Sequence, residues 1–218
     1  LYIRENKDYP PEMKYVIMVL TEWSPEGTKR ADTAIGTMAN RIQTVREQSA
    51  VWGLRSFIKG LGYRYDRLAA PWPAYGVKAG LGELGRMNRL VSPIYGAAVN
   101  LYPIVTDLPL AIDKPIDFGL QEFCKHCKRC AEECPVKCLS MEKDPTWDVQ
   151  GEWNTPGKKV YFEKCLLCSE YQFVTGTSCS ICLGVCPWTK QDITSLHALS
   201  KAISAKLPQA AKFFVMMD

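Results

Sequence analysis

The sequence predicts an α+β protein in two parts, and three observations carry that prediction. Residues 15–20 (Tyr-Val-Ile-Met-Val-Leu) form a short unbroken apolar run of the kind that makes a buried strand. From Thr33 to Lys59, apolar residues recur at helical spacing: Ile35, Met38, Ile42, Val45, Val51, Leu54 and Ile58. Gly60 and Gly62 end that pattern. After Phe118 the character changes, and cysteines fall in two spaced runs. One is Cys124, Cys127, Cys130 and Cys134 followed by Pro135; the other is Cys179, Cys182 and Cys186 followed by Pro187.

The first run, C-x₂-C-x₂-C-x₃-C-P, is the ligand string of a [4Fe–4S] cluster in bacterial two-cluster ferredoxins. The second run supplies three thiolates at matching spacing, so two [4Fe–4S] clusters are expected in a ferredoxin-like domain. In paired runs the last cysteine of each serves the other cluster. One cluster then takes Cys124, Cys127, Cys130 and Cys186. The other takes Cys134, Cys179, Cys182 and one upstream cysteine, for which Cys165 and Cys168 compete. A disulfide scaffold is the plain alternative for a chain with ten cysteines, but short repeats ending in Cys-Pro suit a cubane better. Cys138 reads as a small buried residue. Lys125, Lys128, Arg129 and Lys137 surround the first run with positive charge, which favours a reduced cluster.

Bulk composition adds little. The chain has 218 residues, 47% hydrophobic, and a net charge of +4 from 27 basic and 23 acidic residues. The basic residues are scattered, so no nucleic-acid partner is expected. The apolar run at Tyr15–Leu20 is too short to span a bilayer. Trp23 to Arg30 reads as a turn or loop, Pro71-Trp72-Pro73 as an extended or turn segment, Tyr63 and Tyr65 as the start of a strand, and Leu101–Val105 as a short strand. Gly80-Leu-Gly-Glu-Leu-Gly-Arg86 spells G-x-G-x-x-G, but Pro73 and Tyr75 disrupt the strand a dinucleotide site needs before it. These glycines are expected instead to let backbone approach a large planar cofactor. The expected organisation is a first part over 1–117, a cluster domain over 118–192 with an insertion at 141–164, and a further segment over 193–218. The chain starts at Leu1 and ends on the apolar Phe213-Phe-Val-Met-Met217, so it is expected to be a piece of a longer protein.

Several strings resemble the catalytic subunit of cobamide-dependent reductive dehalogenases. They are Ala79-Gly-Leu-Gly-Glu-Leu-Gly-Arg86, Thr106-Asp-Leu-Pro-Leu110, Asp113-Lys-Pro-Ile-Asp-Phe-Gly119, Phe123-Cys to Cys134-Pro135, and Cys182-Leu-Gly-Val-Cys-Pro-Trp-Thr-Lys190. The resemblance implies a nitroreductase-like cobamide-binding domain joined to the ferredoxin-like domain, with 1–117 as a partial catalytic domain to which 193–218 returns. The implied reaction replaces or eliminates a carbon–halogen bond of a small organohalide, through Co(I) cobamide fed by the clusters, in organohalide respiration. It further implies export by the twin-arginine route (with no such signal in this chain) and a peripheral place on the outer face of the cytoplasmic membrane. A small membrane anchor protein and a membrane-bound electron donor are the implied partners. The family pattern also chooses Cys168 over Cys165, because Tyr171 and Gly176 follow it at the family offsets. An electron-transfer protein without a catalytic cofactor and an epoxyqueuosine-reductase-like enzyme are the alternatives.

Catalytic residues transfer poorly. The family's tyrosine position, nineteen residues before Tyr63, holds Thr44, and its basic position after Pro93-Ile-Tyr-Gly96 holds Asn100. Tyr95 is a further candidate for a pocket role. Gly80, Gly82 and Gly85 are expected to face the corrinoid, and Arg86 to pair with one of its polar groups.

Overall fold

The computed structural model describes residues 9–69 and 71–189, together with Ile203 and Phe213. The returning segment expected at 193–218 therefore lies outside the described residues apart from those two.

The apolar run becomes β1 (Tyr15–Glu22), which pairs antiparallel with β5 (Val99–Thr106) from Tyr15↔Thr106 to Glu22↔Val99. β2 (Tyr65–Arg67) pairs on the other side of β5, giving the order β1-β5-β2. β5 is thus the central strand, and its residues from Leu101 onward are buried. A second, two-stranded sheet pairs β3 (Glu83–Leu84) with β4 (Leu90–Val91).

Two segments expected as loops are short helices. Ser24 accepts a hydrogen bond from the Gly27 N–H at 3.1 Å and Pro25 takes the first helical position, so α1 (Pro25–Lys29) starts on an ordinary cap. Pro73 sits in the first turn of α3 (Trp72–Lys78), where its missing N–H removes no helical bond. The long helix α2 (Ala34–Gly60) forms as expected, capped by Thr33. Gly53 does not interrupt it.

The face that α2 buries is largely polar in its first half. Its buried residues are Gly36, Asn40, Gln43, Glu47, Val51 and Ile58, whereas Ile35, Met38, Ile42 and Val45 are exposed, Val45 by 69%. The cause lies in what the helix meets. Its second half packs on the sheet, where Val51 and Ile58 join Tyr102 and Ile104 in an apolar cluster. Its first half meets amide and hydroxyl groups instead: Asn40 donates to Ser180 Oγ at 3.3 Å, and Thr37 Oγ1 accepts from Ser178 N–H at 3.0 Å.

The cysteine-bearing segment contributes α4 (Leu120–His126), α5 (Arg129–Glu132), α6 (Cys165–Thr175), α7 (Ile181–Gly184) and a 3-10 turn at Pro187–Thr189. Residues 141–164 hold no helix or strand; the bridge Thr146↔Val160 is their regular pairing. One core runs across the expected 117/118 boundary. Met87, Val91 and Ala97 pack in it with Leu120, Phe123, Trp188 and six of the cysteines. Trp188 meets Phe118 and Phe123 edge-on, with ring centres 5.0 and 5.8 Å apart. No helix among the described residues is long and apolar enough to cross a membrane.

Candidate functional site

The ten cysteines form no disulfide. They divide spatially along the lines their spacing suggests. Cys124 is carried by α4, Cys127 ends that helix, Cys130 lies in α5, and Cys186 lies between α7 and the 3-10 turn. All four are buried in the shared core. Burial pushes the Cys124 thiol up to about 12. It raises Cys130 and Cys186 too, and at Cys130 the neighbouring Cys186 and Cys124 add to the shift.

Five of the six remaining thiols meet around a cavity of about 350 Å³ lined by Cys134, Cys138, Cys168, Cys179 and Cys182. Cys134 Sγ accepts the Cys138 N–H at 3.4 Å, and the two sulfurs lie 3.5 Å apart. A hydrogen bond from Cys138 holds the Cys168 thiol down at about 6, and the same contact raises Cys138. Gln172 Nε2 also donates to Cys168 at 3.2 Å. Cys165 does not line this cavity; its Sγ faces the Trp153 carbonyl at 4.0 Å. Cys138, read from sequence as a small buried residue, is buried as expected, and it lines the same cavity as the other four thiols.

Among the described residues, no three His, Cys, Asp or Glu side chains converge closely enough to hold a single metal ion. A cubane asks for a wider arrangement, because each thiolate binds a different iron and the sulfurs stand apart by the width of the cube. The donor set fits such a group: free thiols, mostly buried, beside apolar residues. Trp23 also lines the cavity, and its buried Nε1–H has no partner among the described residues, as has that of Trp188 in the shared core. A buried N–H left without an acceptor is costly, and cluster sulfur is a suitable acceptor.

The N-terminal part grips the second thiol set through side-chain hydrogen bonds. Tyr171 and Thr177 donate to the Asp32 carboxylate, the latter at 2.7 Å. Together with the Thr37–Ser178 and Asn40–Ser180 bonds, this fixes the stretch that leads into Cys179. Asp32 itself sits at φ 65°, in the turn before α2.

The four residues expected to face the corrinoid are used differently. A Cβ on Gly82 would lie 2.1 Å from the Val91 carbonyl oxygen, and one on Gly80 2.6 Å from that of Lys114. One on Gly85 would meet Val91 Cγ2 at 3.0 Å. The room these glycines leave is filled by the chain itself. Arg86 is 1% exposed and donates to the carbonyls of Cys124, Cys127, Ser140 and Glu142 at 2.6–3.1 Å. Its guanidinium is committed to the first cysteine run and the loop after it.

Of the catalytic candidates, Asn100 lines the thiol cavity and donates from Nδ2 to the Glu47 carboxylate. Thr44 donates to the Asn40 carbonyl at 3.2 Å within α2. Tyr95 lies apart, 37% exposed in the turn closed by Ser92 and Gly96. Glu47 was not anticipated. It is buried, and burial raises its carboxyl above the usual range against the opposing hydrogen bond from Asn100. Its signal in the sequence was the polar stripe Asn40, Gln43, Glu47 on a helix whose apolar residues drew attention elsewhere.

Fold and site together define a class: α+β proteins in which a small antiparallel sheet and one long helix support a cysteine-rich segment. Comparison with known proteins narrows it. No family model matches the chain. It is 41% identical over 120 residues to the tetrachloroethene reductive dehalogenase of Sulfurospirillum multivorans, covering 55% of this chain and 24% of that protein. It is 33% identical over 206 residues to that of Desulfitobacterium hafniense, covering 89% of this chain and 36% of that protein. The structure of a catabolic reductive dehalogenase in complex with 3-bromo-4-hydroxybenzoic acid superimposes on 93% of the chain and 29% of its own length, with a TM-score of 0.78 and 25% identity. The chain belongs to the family of reductive dehalogenase catalytic subunits. It spans about a quarter to a third of the length of the curated relatives it matches.

Proposed function

We propose that the protein carries out reductive dehalogenation of a small organohalide, and that this chain is the part that conducts electrons to a cobamide. The observation that carries the reading is the extent of the match. It covers the sheet and α2 as well as both cysteine runs, and a simple electron-transfer module has no need of the former. The epoxyqueuosine-reductase alternative is less well supported by a chain whose basic residues are scattered.

On this reading Cys124, Cys127, Cys130 and Cys186 hold one [4Fe–4S] cluster. Cys134, Cys168, Cys179 and Cys182 hold the other. The proximity of Cys168, but not Cys165, to the cavity supports that choice. A bound cobamide supplies a cobalt centre that accepts electrons and breaks the carbon–halogen bond. The corrinoid seat expected at Gly80, Gly82, Gly85 and Arg86 draws no support from their contacts, which are with the chain itself. Asn100, held by Glu47 at the cavity edge, is the best placed of the catalytic candidates to present a hydrogen bond there; Thr44 and Tyr95 have weaker support. The domains at 1–117 and 118–192, the insertion at 141–164 and the returning segment at 193–218 are retained as functional divisions. Twin-arginine export, the outer membrane face, the anchor protein and the membrane-bound donor are likewise part of this proposal.

The test is elemental analysis and absorbance of anaerobically prepared protein, followed by measurement of chloride released from a chlorinated alkene. One cobalt and about eight irons per chain, with halide release, is the expected result. Full iron without cobalt after reconstitution with a cobamide would sink the dehalogenase reading in favour of electron transfer alone.

A further inference from the structure

We infer that Arg86 is the positioning residue of the first cluster site, holding the Cys124–Cys127 backbone in its ligand conformation and supplying the buried positive charge against which that cluster is held. The inference rests on the two-cluster reading above.

Arg86 reaches the first run through backbone alone. Nε donates to the Cys124 and Cys127 carbonyls at 3.1 Å, and Nη2 to Cys124 at 2.6 Å. These acceptors lie at the C-terminal end of α4, where the last carbonyls of a helix have no partner within it. Nη1 donates to Ser140 and Glu142 at 2.8 and 2.6 Å, so one planar fork ties the start of the run to the loop after it. The guanidinium lies 4.2 Å from the Tyr161 ring centre, and the Tyr161 hydroxyl donates to the Lys143 carbonyl at 2.8 Å. Five donors fixed in one plane make this a task for arginine that lysine cannot repeat.

The charge is the second part. Arg86 is among the largest fully buried side chains, and no carboxylate makes an ion pair with it among the described residues. A buried cation without a counter-ion is costly. Four thiolates around a cubane carry a net negative charge that grows on reduction, so the guanidinium stabilises the bound cluster and favours its reduced form. Arg89, three residues on, is exposed and lines the other thiol set. It provides an internal comparison, because it lines the same cavity as Cys168 and Cys182.

The experiment compares wild type, Arg86→Gln, Arg86→Lys and Arg89→Gln, each loaded anaerobically with iron and sulfide as the intact protein. Iron per chain is measured, and unligated thiols are alkylated and located by mass spectrometry. Arg86→Gln is expected to lose about half its iron, with Cys124, Cys127 and Cys130 alkylated and Cys168, Cys179 and Cys182 protected. Arg86→Lys, which keeps the charge but not the fork, is expected to retain more iron, and any first cluster it keeps is expected to be less stable than in wild type. Arg89→Gln should keep Cys124, Cys127 and Cys130 protected. Wild-type iron and protection in both Arg86 variants would overturn the inference, as would loss of both thiol sets together with cooperative folding, since that marks a general structural role. A wild-type chain that takes up no iron overturns the two-cluster reading itself, and this inference with it.

Discussion

Glu83 and Arg86, three residues apart around β3, hold opposite ends of one helix. The Glu83 carboxylate accepts the N–H groups of Phe118 and Leu120 at 2.8 and 3.2 Å, where α4 begins. Arg86 takes the carbonyls at its other end. An acid at the N-terminus and a base at the C-terminus both match the helix dipole. The string Gly80-Leu-Gly-Glu-Leu-Gly-Arg86 is thus a clamp on the helix that carries Cys124. Its glycines permit the close β3–β4 pairing from which the clamp extends.

Removing the acidic jaw tests the clamp. Glu83→Ala leaves the buried Leu120 N–H and the part-buried Phe118 N–H at the start of α4 without their acceptor. An orphaned N–H costs about 1–3 kcal/mol when fully buried and less when water can reach it, so urea unfolding should show a loss of about 2–4 kcal/mol. Glu83→Gln keeps one acceptor oxygen and should lose less. A Glu83→Ala midpoint equal to wild type would show that water replaces the carboxylate freely.

Two glycines should respond to alanine in opposite directions. Gly96 has φ +68°, and a Cβ there would stand 2.1 Å from the Trp188 carbonyl oxygen, in rigid backbone. Gly96→Ala should cost more than about 2 kcal/mol from the left-handed conformation and the clash together. Gly53 lies within α2 and a Cβ there meets nothing within 4 Å. Gly53→Ala should stabilise by about 0.5–1 kcal/mol through reduced backbone freedom in the unfolded chain. Thermal unfolding of the two variants reads both signs at once.

The chain's periodicities made β1, α2 and β5 legible, because each is a long element with an unbroken pattern. α1 and α3 were missed because Pro25 and Pro73 were read as breakers, whereas both occupy first-turn positions that proline tolerates. The buried face of α2 could not be read from its apolar spacing. Apolar periodicity identifies the face toward an apolar core, but the first half of this helix meets Ser178 and Ser180, so Asn40 and Gln43 face inward. Which cysteines lie near one another was legible in part from their spacing, since each run is too short to place its members far apart. The role of Arg86 was not, since its partners are backbone carbonyls 38 to 56 residues away, which no side-chain pattern announces.

The choice between Cys165 and Cys168 can be settled by iron. Cys168 faces the cavity shared with Cys134, Cys179 and Cys182, and Cys165 does not. Cys168→Ser should therefore drop to about half the wild-type iron, with the spectroscopic signal of one cluster missing. Cys165→Ser should retain the full content. The reverse pattern would move the ligand assignment to Cys165.

Glu47 gives the chain a pH dependence whose sign follows from its surroundings. Burial raises its folded carboxyl above the ordinary value of 4.5, and the Asn100 hydrogen bond and the Arg67 charge only partly oppose this. The folded state therefore binds more protons at this position than the unfolded state. Stability must then fall as pH rises from the unfolded carboxyl range through the raised folded value, and level off above it. Glu47→Gln removes the titration while keeping an amide that can face Asn100. Compared by urea unfolding at about pH 4 and about pH 8, the variant should gain on wild type as pH rises. Taking the difference cancels the acid response common to both proteins. Parallel profiles over that range would mean that Glu47 ionises without penalty, and that Asn100 and Arg67 compensate its burial in full.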